Sequence, residues 1–123
     1  MNTFTYEKKI LIAICTYKRP EKLVRLLNSL SNINCPDKTR TEILVVDNDI
    51  DQSAKIICAN YNGKIPVRYI NEVNKGLSNV RNRALSECIQ LNADYIAFID
   101  DDEIADKDWI KAKIGRASCR ERV

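Results

Sequence analysis

The sequence predicts an α/β fold, a three-layer sandwich around a mainly parallel central sheet. Two observations carry the prediction. Four short apolar runs alternate with segments whose apolar residues recur at helical spacing, a β-α-β-α-β-α-β series. Each run also leads, directly or after a few residues, into a polar cluster, as expected where the carboxyl ends of parallel strands share one edge.

The first run, Ile10-Leu11-Ile12-Ala13-Ile14-Cys15, is almost continuously apolar, as in a strand covered on both faces. Beyond it Leu23, Val24, Leu26, Leu27 and Leu30 follow a helical period, and Pro20 suits the first helical turn, where an N–H has no intrahelical partner anyway. Ile43-Leu44-Val45-Val46 is the second strand, followed by a helix over about 52–61 with Asn62-Gly63 as its stop. Val67-Arg68-Tyr69-Ile70 is a third, shorter strand. Residues 77–91 form a helix with Leu77, Val80, Ala84, Leu85, Cys88 and Leu91 on one face. Tyr95 to Ile99 is the fourth strand, and a short helix is expected around 107–113, with Trp109 packed in the core.

At 123 residues the chain can bury one modest core. Residues 1–114 are expected to form that unit. The remainder, 115–123, has no apolar period and is expected to be a non-native tail. Arg116, Arg120 and Arg122 against Glu121 give this tail +2 of the formal +3, and a body of only +1 argues against a nucleic-acid surface. No apolar stretch approaches the ~20 residues of a membrane helix, and the start of the chain lacks a signal-peptide pattern. The cysteines, 15, 35, 58, 88 and 119, are scattered without zinc-ligand spacing, so they are expected to be free thiols in a reducing cytoplasm. The chain has no histidine, so a bound metal must be held by oxygen, which favours Mg²⁺ or Mn²⁺.

The polar clusters carry the chemistry. After the fourth strand stand four acids, Asp100-Asp101-Asp102-Glu103. Adjacent carboxylates repel, and a divalent metal is the simplest group that would hold them together. If the segment is extended, Asp100 and Asp102 point to one side and can share a ligand while Asp101 points away. The ordinary alternative, one Asp capping the next helix, explains one acid rather than three. Asp47-Asn48-Asp49-Ile50-Asp51 has acids at alternate positions like a calcium loop. Gln52 and Cys58 stand where that loop needs Gly and Glu, and a strand precedes it, so that reading is rejected. Asp47 and Asp49 could accept hydrogen bonds from a nucleobase or ribose, or simply form an Asx turn. Arg81 falls on the apolar face of its helix near the start, where it should reach for acids or phosphates, or snorkel to solvent. Gly76 would let that helix's amide end approach an anion. Thr16 and Tyr17 offer a hydroxyl and an aromatic face at the end of the first strand.

Taken together, four segments resemble the family 2 glycosyltransferases of the GT-A fold. They are Ile14-Cys15-Thr16-Tyr17-Lys18-Arg19-Pro20, Glu42 to Asp49, Asn74-Lys75-Gly76-Leu77-Ser78-Asn79-Val80-Arg81-Asn82, and Ile99-Asp100-Asp101-Asp102-Glu103. The resemblance covers about residues 8–113 and implies inverting transfer of a sugar from a UDP- or GDP-sugar. It implies an Asp-x-Asp element in Asp100-Asp101-Asp102, with Asp102 the metal ligand, joined by Asp100, and Mn²⁺ or Mg²⁺ as the ion. Thr16, Tyr17, Arg19, Asp47, Asp49, Gly76, Arg81, Asp100 and Asp101 would then bind the nucleotide sugar, although Asp49 departs from the commoner Gly. The acceptor would be a glycan or lipid-linked saccharide of the cell envelope. The enzyme would be cytoplasmic, with membrane association open to a full-length protein. Family members usually continue for a hundred or more residues, so the acceptor contacts and catalytic base are expected elsewhere. The present chain is expected to be inactive alone and to self-associate through surface the missing part would cover. Two other readings remain at this stage: a phosphotransfer or receiver-type domain, which would usually place an acidic pair after the first strand, and an inactive interaction module.

Overall fold

The computed structural model describes residues 8–116. Eight elements follow in chain order: β1 (Lys8–Thr16), α1 (Pro20–Leu30), β2 (Thr39–Asp47), α2 (Lys55–Ala59), β3 (Val67–Asn71), α3 (Leu77–Gln90), β4 (Tyr95–Asp100) and α4 (Trp109–Arg116). The four strands form one parallel sheet in the order β3-β2-β1-β4. β1 is central, with Ile12 opposite Ile43 on one side and Ala97 on the other. That position explains its unbroken apolar run: Ile10 through Ile14 are fully buried.

The pleat sorts these side chains into two cores. Ile10, Ile12, Ile14, Ile43, Val45, Ala97 and Ile99 pack with Leu23, Leu26, Leu27 and Leu30 of α1, Ile57 of α2 and Ile110 of α4. Leu11, Ala13, Leu44 and Val46 face the other way and pack with Val80, Ala84 and Cys88 of α3. Trp109 packs against the first core as expected. Among the described residues α3 is the single helix on the second face, which leaves Ile96 and Phe98 half-buried.

The topology follows from handedness. Two successive crossovers move outward from β1 to β3 with α1 and α2 on one face. The third, through α3, returns past β1 to β4 and must cross the opposite face to stay right-handed. Strand direction of travel therefore reverses at β1, and the crevice between the ends of β1 and β4 is the switch point where such sheets bind ligands.

Several local expectations need correction. Val24 is exposed rather than packed, and so is Leu77, the first residue of α3. The second helix covers 55–59 rather than 52–61. Asp49 organises a turn ahead of it: its backbone oxygen accepts from Gln52 N and its Oδ1 from Asp51 N, while Gln52 takes a left-handed φ of 56°. The helix ends through Asn60, not Gly63. Gly63 instead fills a place between Tyr61 and Ser31 with no room for a side chain. α4 continues through Gly115 and Arg116, into the segment read as a tail. The rest of that segment, with Cys119, lies outside the described residues. Cys15, Cys35 and Cys58 are free thiols, and Cys88 is buried against the second core.

Candidate functional site

The carboxyl ends of β1 and β4 open onto a cavity of about 460 Å³. Thr16, Tyr17 and Arg19 form its β1 side, Asp100, Asp101 and Asp102 its β4 side, and Lys75, Gly76, Leu77 and Val80 the rim from the β3–α3 connection. Cys15 and Asn48 complete the lining. Six of the nine residues expected to bind the nucleotide sugar, together with Asp102, therefore meet in one place. These are Thr16, Tyr17, Arg19, Gly76, Asp100 and Asp101.

The acid run divides into distinct roles. Asp101 is the buried member: its Oδ2 accepts from Thr16 Oγ1 at 2.9 Å and its Oδ1 from Arg19 Nη1 at 3.2 Å. The same guanidinium nitrogen lies 3.9 Å from Asp102. The positive group demanded by adjacent carboxylates is thus supplied in part by Arg19. Glu103 belongs to a turn, in which its carboxylate accepts from Asp100 N at 3.1 Å and its own N–H returns to Asp100 O at 3.0 Å. The chain turns at 101–102, so the Asp100–Asp102 segment is not extended. Asp100 and Asp102 are nevertheless both exposed on the cavity wall. Among the described residues no three acid or thiol side chains converge into a closed metal cage. Two open carboxylates instead suit a hard cation that completes its shell with water and phosphate oxygens.

Across the mouth, Lys75 Nζ donates to the Tyr17 hydroxyl at 2.7 Å. This hydrogen bond favours the phenolate and holds the Tyr17 pKa below its ordinary value, while raising that of Lys75. Burial pushes the Cys15 thiol up to about 11, so it sits in the wall as a protonated, weakly nucleophilic group.

Three expected binding residues are not on the wall. Asp47 is fully buried and its carboxylate is occupied within the protein. Oδ1 accepts from Asp49 N at 3.0 Å, and Oδ2 from Ala54 N at 3.0 Å and the Tyr69 hydroxyl at 2.8 Å. Burial, and then this last bond, push the Tyr69 pKa up. Asp49 is also buried, and hydrogen bonds from Ser53 and Asp51 N hold its carboxyl below the usual range. These two acids build the turn leading to α2. Arg81 finds an aromatic partner rather than an acid: its guanidinium carbon lies 4.3 Å from the centroid of the Phe98 ring. Gly76 lies on the wall at the start of α3, with its own N–H taken by Asn48 Oδ1 at 3.1 Å.

Two wall residues outside the expected set stand out. Lys75 lies in one of the matching segments but has no expected role of its own, and its contact with Tyr17 across the cavity mouth marks it. Asn48 was visible within the Asp-Asn-Asp cluster, but its three loop partners lie 24 to 28 residues away.

Known proteins place this site in context. A Glycosyl transferase family 2 model matches residues 11–118. The succinoglycan biosynthesis protein ExoM of Rhizobium meliloti (strain 1021) is 35% identical over 101 residues, covering 80% of this chain and 31% of ExoM. The crystal structure of S. aureus TarS 1-349 in complex with UDP superposes with a TM-score of 0.70 at 26% identity, covering 87% of this chain and 31% of TarS 1-349. The complex of the same protein with UDP-GlcNAc gives 0.67 at 26% identity, covering 87% of this chain and 30% of that one. The chain thus spans about a third of the length of these relatives. The parallel sheet, the cavity at its switch point and the match over nearly the whole described chain agree: the chain belongs to glycosyl transferase family 2.

Proposed function

We propose that this chain is the donor-binding part of a glycosyltransferase that moves a sugar from a nucleoside diphosphate to an acceptor hydroxyl with inversion. The observation that carries the reading is the cavity itself. It sets a hydroxyl, an aromatic ring and two cationic side chains opposite three aspartates, at the switch point of a family 2 sheet. The Tyr17 ring offers a face for a base or ribose. Arg19 fixes Asp101 through a charge-assisted bond and keeps donors near incoming phosphates. Asp102, with Asp100, would hold Mg²⁺ or Mn²⁺. When bound, that ion supplies positive charge to the diphosphate leaving group. The acceptor proton goes to a base outside the described residues. The UDP and UDP-GlcNAc complexes of TarS support a UDP-sugar donor. The name of ExoM supports a role in polysaccharide biosynthesis; a saccharide acceptor and a place in the cytoplasm or at its membrane are part of this proposal.

Calorimetric titration with UDP and with GDP, each with and without Mn²⁺, tests the reading. Heat is expected with UDP, and Mn²⁺ should strengthen it. Asp102→Asn should lose the Mn²⁺ increment while keeping the metal-free binding. No heat in any combination from folded protein refutes the reading.

A further inference from the structure

Asn48 is buried beneath the rim of the cavity, and its backbone N–H and both ends of its side-chain amide are engaged. Its backbone N–H donates to Thr16 O at 2.9 Å, tying the end of β2 to that of β1. Its side-chain Nδ2 donates to Glu72 O at 2.7 Å and to Asn74 O at 3.1 Å, and its Oδ1 accepts from Gly76 N at 3.1 Å. One side chain thus fixes three backbone groups of the five-residue connection between β3 and α3. We propose that Asn48 is a positioning residue for the nucleotide donor, acting by holding the 72–76 connection in its binding shape. The proposal rests on the donor-site reading above.

The chemistry selects an amide. The three partners are two carbonyls and one N–H, so the site needs two donors and an acceptor on one short side chain. Aspartate would set a carboxylate against the carbonyls, leucine would leave all three groups without a partner, and glutamine is one methylene too long for so enclosed a place. The connection has other supports: Glu72 N donates to Asp47 O at 2.9 Å, and Gly76 O accepts from Asn79 N at 3.1 Å and Val80 N at 3.2 Å. Glu72 Oε2 accepts from Asn74 N at 2.9 Å while its Oε1 meets Arg83 at 3.2 Å, and Asn79 Nδ2 donates to Lys75 O at 2.9 Å. At the last position before α3, Gly76 has a φ of 124°, which only glycine adopts without strain, so the turn into α3 is not self-stabilising in the way a repeating element is.

The connection carries Lys75, Gly76 and Leu77 onto the wall. Lys75 in turn reaches Tyr17 on the opposite side of the mouth. Asn48 therefore sets the spacing between the two loops that border the cavity without itself needing to touch the ligand. With the connection held, a ligand meets an ordered wall. Without Asn48, binding must first order five residues, which lowers affinity.

The test is Asn48→Ala in the full chain, titrated with UDP or GDP, whichever the unsubstituted chain binds, with amide hydrogen exchange followed in the free protein. Affinity should fall about tenfold or more. The Gly76 amide should exchange faster while Ile12 and Val45, deep in the sheet, keep their protection. Asn48→Ser, which keeps a shorter donor and acceptor, should lie between and serves if the alanine variant does not fold. Affinity within twofold of the unsubstituted chain, or Gly76 protection unchanged, overturns the proposal and leaves the donor-site reading intact. Equal loss of protection at Ile12 and Val45 also overturns it, because the effect would then be general destabilisation. If the unsubstituted chain binds neither nucleotide, the donor-site reading falls and this proposal with it.

Discussion

Replacing Asp47 by asparagine separates a structural acid from a ligand-binding one. The Asp47 carboxylate accepts three hydrogen bonds and is fully buried. In Asp47→Asn one oxygen becomes an NH₂ group. Placed at Oδ1, the NH₂ faces the Asp49 N–H. Placed at Oδ2, it can donate to the Tyr69 oxygen after the hydroxyl turns, but it still faces the Ala54 N–H. Either orientation strands one backbone donor, at a cost of roughly 1–3 kcal/mol, so about 2 kcal/mol is expected. For a domain of this size that lowers Tm by about 6–10 °C. The assay is thermal unfolding followed by circular dichroism, paired with UDP titration well below the lowered Tm. The expected result is a clear drop in Tm with UDP affinity nearly retained. An unchanged Tm combined with lost UDP binding would refute the structural role and return Asp47 to the nucleotide.

Lys75→Met removes the ammonium that stabilises the Tyr17 phenolate. The Tyr17 pKa, now held low, should rise toward the ordinary tyrosine range, read from its ring resonances in a pH titration. An unchanged titration would mean that the pair does not form in solution. Ala84→Leu places three extra carbons where α3 meets Leu11, Ala13, Leu44 and Val46. Ala84 is fully buried, so overpacking should destabilise the fold by about 1–3 kcal/mol in denaturant titration, and a neutral result would show that α3 can move outward freely.

Much of the fold was legible because its signals are local. The apolar run at Ile10–Cys15 announces a strand covered on both faces, and the Leu23-Leu26-Leu27-Leu30 spacing announces α1. Both appear within a residue or two of their expected places. The second helix was overextended because Asp49 carries turn bonds that no helical period reveals. The site was legible as an edge. Thr16, Tyr17, Arg19, Gly76 and the aspartates were each placed at a strand end, and the fold gathers them. The exposure of Asp100 and Asp102 on the cavity wall matches the reading that set them on one side, although the segment turns instead of staying extended. The extended reading turned Asp101 away from Asp100 and Asp102, and did not foresee that Asp101 would be the one buried between Thr16 and Arg19.

The sequence by itself determined the element types, their order along the chain and the sheet edge that bears polar groups. These depend on periodicity and on residues a few positions apart. Tertiary structure alone decided the strand order, and with it the switch point between β1 and β4. It also decided the partners of Asp47, Asn48, Arg81 and Asp101. The Thr16–Asp101 bond joins residues 85 apart. A carboxylate, an amide or a guanidinium looks the same in sequence whether its partner is a ligand, a backbone group or a ring. Only the folded sheet, by bringing distant strand ends to one edge, determines which of these it meets.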